Sequence, residues 1–185
     1  MEIYLVRHTT PDIAKGICYG HANIGVTKSF ETEVVLIKKQ LPLKNDCKVY
    51  SSPLLRCYYL ASALNNCTYL DNRLKEVNFG TWENVAWDNI PKEEIDPWMS
   101  NFVTATPPMG ESYIQLQARV IDFFNALIEK HNEDETVIIV SHAGPIRAWL
   151  AHIQQIELKD SFDIKIDYGQ VFKIQYINNT FSLVS

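Results

Sequence analysis

Ile3-Tyr4-Leu5-Val6 is a continuous apolar or aromatic run that ends abruptly on Arg7-His8. A run buried on both sides reads as a central strand of a parallel sheet. Open α/β sheets hold their ligands just beyond the carboxyl ends of such strands. The same pattern returns far downstream, where Thr136-Val137-Ile138-Ile139-Val140 leads into Ser141-His142-Ala143-Gly144. Two buried strands that each deliver a histidine to one sheet edge imply a single site.

Composition narrows what that site can serve. A net charge of −5 argues against nucleic acid or an anionic membrane surface as the main partner. No apolar run approaches the roughly 18 residues of a membrane span, and Met1-Glu2-Ile3 carries no basic leader. Cys18, Cys47, Cys57 and Cys67 form no CxxC pair, so zinc-ligand spacing is absent. Four reduced thiols and a cytoplasmic setting are the expectation. The 185 residues fit one domain, without repeats or linkers.

Along the chain, strand and helix patterns alternate. After His8, Thr9 to His21 is rich in Pro and Gly and reads as a loop able to wrap a ligand. Phe30, Val34, Ile37 and Leu41 predict a helix over about 28–41, stopped by Pro42. Cys47–Ser51 predicts a strand, and Ser52-Pro53 reads as the start of a helix running to about Leu64. Thr68–Leu70 is a third strand. Residues 82–108 hold three of the four tryptophans and four prolines, the mark of a lid-like insertion. Gly110-Glu111-Ser112 opens a long amphipathic helix with Ile114, Ile121, Phe124 and Ile128 on one stripe and Leu116, Val120, Phe123 and Leu127 beside it. Ala143-Gly144-Pro145 starts another helix bearing Ile146, Trp149, Leu150 and Ile153. Val171–Tyr176, Asn178-Asn179 and Phe181–Val184 read as a closing hairpin. The pattern predicts a three-layer α/β/α sandwich, its central sheet mostly parallel with a terminal antiparallel hairpin.

Arg7, His8, Arg56 and His142 all lie at or just past strand ends on one edge. Arg56 falls in the first turn of its helix, where the dipole disfavours a cation unless an anion lies between them. Arginine forks match phosphate oxygens in pairs, so the group fits a phosphate above other ligands. Glu76 can reach the same edge. A metal held by His8 and His142 is disfavoured, because further ligands at suitable spacing are missing. His131 reads as a helix-end residue and His152 as a helix-surface or satisfied core residue, whereas Tyr19-Gly20-His21-Ala22 lies in the loop beside His8 and could meet substrate.

These residues resemble a family. Leu5-Val6-Arg7-His8, Ser52-Pro53-x-x-Arg56, Leu74-x-Glu76-x-x-x-Gly80-x-Trp82-Glu83, Gly110-Glu111-Ser112 and Ser141-His142-Ala143-Gly144 follow the order seen in the histidine phosphatase superfamily, which includes phosphoglycerate mutases and phosphomonoesterases. The chain departs from that pattern at Thr9 (usually Gly), at Ala14 (Asn in mutases) and at Leu60 (usually Thr). The resemblance implies that His8 is a nucleophile forming a phosphohistidine, that Arg7, Arg56 and His142 bind the phosphate, and that Glu76 is the acid and base. It implies catalysis by His8, Glu76 and His142 without metal or cofactor. Glu83 and Glu111 stand next as acids should Glu76 fail.

Within the superfamily, the Tyr19–Ala22 loop, the Phe79–Glu83 run and the chain length look like α-ribazole phosphatases. Tyr19, Gly20, His21 and Trp82 are therefore expected substrate contacts, and the expected partner is a small phosphomonoester such as α-ribazole 5′-phosphate. The competing readings are a mutase-type phosphoryl transferase and a non-catalytic phosphate-binding module. Oligomeric state does not follow from the sequence.

Overall fold

The computed structural model describes residues 1–43 and 47–184. Six strands form one sheet: β1 (Glu2–Arg7), β2 (Lys48–Ser51), β3 (Thr68–Leu70), β4 (Thr136–Ser141), β5 (Val171–Ile177) and β6 (Thr180–Val184). Their order is β3-β2-β4-β1-β5-β6, with the first four parallel and β5 antiparallel to both β1 and β6. The expected sandwich with a mostly parallel sheet and terminal hairpin is the fold observed. Asn178 and Asn179 turn the hairpin with φ of 50° and 60°; asparagine tolerates this left-handed region better than most residues.

Two helical layers cover the sheet. α1 (Phe30–Lys38) and α2 (Leu55–Leu64) pack on Tyr4, Val6, Val49, Ile138 and Val140. α4 (Tyr113–Lys130) and α5 (Ala143–Ile153) pack on the alternate residues Ile3, Leu5, Val137 and Ile139. Side chains alternate across a strand, so each central strand supplies both cores, which is why β1 and β4 are apolar throughout.

Several boundaries differ from the pattern for physical reasons. α1 is shorter than 28–41 and ends in a turn before Pro42. α2 starts at Leu55, not at Ser52-Pro53, because the Ser52 hydroxyl is engaged by His142 at 2.8 Å and its contact to the Leu54 amide is long, at 3.3 Å. α4 is capped by Ser112 and Gln115, whose side chains bond each other's backbone amides. Only one of its two predicted stripes is wholly core. Leu116, Val120, Phe123 and Leu127 are buried, whereas Ile114 is 49% exposed.

Residues 82–108 contain a helix that the pattern did not reveal, α3 (Lys92–Ser100), with Pro97 inside it. Its Ile95 and Trp98 close over Cys18, Trp82 and Ile90 in a third, separate cluster. Among the described residues no helix is long and apolar enough to cross a membrane. Cys18, Cys47, Cys57 and Cys67 are all free.

Candidate active site

Parallel pairing builds the centre. Arg7 is in register with Ser141, so the next residues, His8 and His142, leave the sheet side by side. Their rings lie 5.0 Å apart, edge to face. His8 is anchored at both ends: its amide donates to the Ser141 carbonyl, and its Nδ1 meets the Thr9 carbonyl at 2.7 Å. A carbonyl can only accept, so Nδ1 carries the proton and Nε2 keeps its lone pair. Burial, then Arg56 and then Arg7 hold the His8 pKa well below its ordinary value, with the Thr9 bond only partly opposing them. The ring is thus neutral near pH 7, with one nitrogen free.

His142 is placed with the opposite tautomer. Arg56 Nε donates to its Nδ1 at 3.2 Å, so Nε2 carries the proton and meets the Ser52 hydroxyl. Burial first, then Arg56 and His8, lower its pKa in the same direction. Arg56 itself is fully buried, and its terminal nitrogens donate to the carbonyls of Ala22 and Gly20. Three of its five N–H groups are used, which leaves two.

Arg7 sits over Tyr168, 3.8 Å from the ring centre, and one of its terminal N–H groups donates to the Ile166 carbonyl. Its Nε is buried without a partner. A buried orphan N–H on a cation is costly unless an anion completes it.

Glu76 follows a 3₁₀ turn, Asn72–Leu74, that ties back to the sheet through the Ser141 hydroxyl and the Leu74 carbonyl. Its carboxylate accepts the amides of Val77 and Gly144. A Cβ on Gly144 would come within 2.1 Å of that carboxylate, so a side chain there would push Glu76 from its place. Arg119 holds the segment from behind, donating to the carbonyls of Arg73, Lys75 and Glu76 and pairing with Glu111.

A cavity of about 200 Å³ opens over these groups, walled by Arg7, His8, Tyr19, Glu76, Ala143, Gly144 and Arg147, with Phe79, Trp87, Tyr113 and Phe162 beside them. Arg56 and His142 are buried next to this wall without lining it, Arg56 bonded to His142 and the two histidine rings in contact. Of the four expected substrate contacts, only Tyr19 lines it; its hydroxyl lies 2.9 Å from that of Tyr168. Gly20 is packed so tightly that a Cβ would sit 1.7 Å from the Val77 carbonyl, and its role is to let that backbone pass. His21 is half-buried, with an unpartnered Nε2. Trp82 is 3% exposed and ties its indole N–H to Glu94, in the core below α3 rather than on the cavity wall.

Glu83 is occupied too. Its carboxylate accepts the amides of Gly20, His21, Ala22 and Phe79, and so fastens the loop beside His8 to residues 79–83. The wall residues Arg147, Phe162 and Tyr113 escaped the sequence reading, as did Tyr168, which is off the wall but packs on Arg7. Arg147 lies on α5 five residues past His142, which is off the face of that histidine, and Phe162 falls in a short 3₁₀ turn, Leu158–Asp163, so no apolar period marks either of them. Among the described residues, no three His, Cys, Asp or Glu side chains gather as metal ligands.

Comparison with known proteins agrees with this geometry. Residues 3–185 match the model of the histidine phosphatase superfamily, branch 1. A protein from Hydrogenobacter thermophilus provisionally named phosphoserine phosphatase 2 is 27% identical over 99% of this chain and 93% of its own. The metal-independent phosphoserine phosphatase of Arabidopsis thaliana is 28% identical over 83% of this chain and 69% of its own. The crystal structure of the α-ribazole phosphatase from Shigella flexneri superposes with a TM-score of 0.90 at 23% identity, covering 100% of this chain and 95% of that one.

Proposed function

The chain belongs to the histidine phosphatase superfamily, and from that premise we propose that it is a metal-independent phosphomonoesterase working through a phosphohistidine on His8. The observation that carries the reading is the free Nε2 of a neutral, buried His8 in a cavity walled by Arg7 and Glu76. In the first step Nε2 attacks phosphorus while the bond to the leaving oxygen breaks, and Glu76 gives that oxygen its proton. In the second, water attacks the phosphohistidine, loses a proton to Glu76, and inorganic phosphate leaves. Charge spreads over the equatorial oxygens in both steps. The unpartnered Nε of Arg7, the two spare N–H groups of Arg56, and His142 once its Nε2–H leaves Ser52, supply the stabilisation.

The excursion over residues 82–108 serves as the lid, and the whole chain works as one domain around this site. Four unpaired cysteines support a reducing, cytoplasmic setting. The test is release of inorganic phosphate from a panel holding α-ribazole 5′-phosphate, phosphoserine and p-nitrophenyl phosphate, in excess EDTA. Activity that survives chelation is expected. Loss on chelation with recovery on zinc or magnesium contradicts the metal-free reading, and transfer to an acceptor phosphate ester without release of phosphate favours a mutase.

A further inference from the structure

A second, larger cavity of about 640 Å³ lies under α3. Val77, Phe79, Trp87, Tyr113 and Phe162 line both cavities, so the larger chamber adjoins the one over His8. Its other walls are mostly apolar, including Ile90, Ile95, Trp98 and Phe102. The aromatic rings are mutually braced: Phe79 and Trp87 stand at 5.3 Å, Trp87 and Trp98 stack at 6.1 Å, and Phe102 and Phe162 meet at 5.0 Å. Phe162 is 53% exposed and Met99 is 64% exposed, which leaves this apolar surface in water when empty.

The charged residues on the chamber are peripheral or already paired. Asp88, Lys92 and Asp96 reach the chamber from exposed positions, and Glu111 is already paired with Arg119. A zwitterionic or carboxylate head group entering it would lose water without gaining a fixed partner. Arg147, with its guanidinium on the face of Phe162, lines the small cavity but not the chamber.

Resting on the phosphatase reading, we infer that this chamber is the leaving-group site and that it selects phosphomonoesters whose alcohol carries a flat, uncharged aromatic group. The shared walls of the two cavities argue for the occupant: a phosphate held at His8 directs the rest of its ester towards the chamber. The preference therefore runs against small, charged alcohols such as serine.

Three primary-alkyl phosphates test this, because their leaving oxygens are similarly basic: ethyl phosphate, phosphoserine and 2-(2-naphthyl)ethyl phosphate. The naphthyl ester should exceed ethyl phosphate in kcat/KM on the order of 50-fold, the worth of burying one such ring. Trp98→Ala should lower that ratio about tenfold, and Phe162→Ala, a change at an exposed ring that the core does not need, should lower it in the same direction. A ratio near one, or a preference for phosphoserine, overturns the inference while leaving the phosphatase reading intact. Phosphate release from none of the three contradicts the phosphatase reading instead. In that case saturable quenching of tryptophan fluorescence by 2-(2-naphthyl)ethanol, weakened in Phe162→Ala, still supports an aryl site, and absence of quenching overturns it.

Discussion

The sheet edge and the excursion over it are built by different means. His8 and His142 are placed by paired parallel strands whose neighbours are buried in two cores. The excursion is held by a small separate apolar cluster and a few polar contacts: Glu83 on four amides, the Trp82 indole on the Glu94 carboxylate, and a backbone bridge between Ile17 and Ala86. Strand register cannot slip without turning a whole core inside out. A loop fastened by a few polar contacts can be rebuilt residue by residue. On the proposed reading, the chemistry then sits on the part that resists change, and the choice of substrate on the part that tolerates it.

Glu76 is tied to the sheet edge through the Gly144 amide, and its loss should produce the largest effect that differs between substrates. Glu76→Gln cannot donate an acidic proton, and kcat on an alkyl phosphate should fall by roughly 10²–10⁴. On p-nitrophenyl phosphate, whose leaving group needs no proton, the first step should be spared. Rapid-mixing assays should then show a burst of nitrophenol followed by slow turnover. Equal losses on both substrates without a burst would make Glu76 structural.

Glu83 tests the fastening. Glu83→Ala strands four amides, and at about 1 kcal/mol net for each hydrogen bond it should cost roughly 2–4 kcal/mol in urea denaturation. Its effect on catalysis should be similar for alkyl and nitrophenyl esters, because it holds a loop rather than a proton. A selective loss on alkyl esters would make Glu83 the acid and reverse the assignments.

The sheet edge has its own signature in pH. An unfolded histidine takes up its proton near pH ~6.5, whereas folded His8 and His142 do so only well below that. Between those limits the unfolded chain binds protons that the folded chain does not. Stability is therefore unaffected above pH ~6.5 and falls as pH drops below it, by about 1.4 kcal/mol per pH unit for each histidine. His142→Asn should flatten the slope between pH 6 and 5 by about one such step. An unchanged slope would place the protons elsewhere.

The same contrast explains what the sequence disclosed. Val137 to Val140 and Ile3 to Val6 are apolar because both faces of the sheet are covered, so the strands and the histidines at their ends were legible. Glu76 was legible only through its place among other motifs, because the bonds that hold it run to the Val77 and Gly144 backbone, which sequence does not display. α3 was hidden by Pro97, although Ile95, Trp98 and Phe102 carry helical spacing. Phe162 falls in a short 3₁₀ turn, Leu158–Asp163, and Tyr168 in a turn after it, both too short for a period to mark them. Trp82 and Gly20 carry the look of ligand contacts in sequence, yet one packs the core under α3 and the other admits a neighbouring carbonyl.

The central claim is that the phosphoryl group passes through His8. Wild-type protein mixed with phosphate-labelled p-nitrophenyl phosphate and quenched in alkali within milliseconds should carry label that is stable to base and released by acid, the behaviour of a phosphorus–nitrogen bond. Peptide mapping should place it on His8, and His8→Ala should carry none and turn nothing over. Label on another residue, or turnover retained in His8→Ala, would contradict the account.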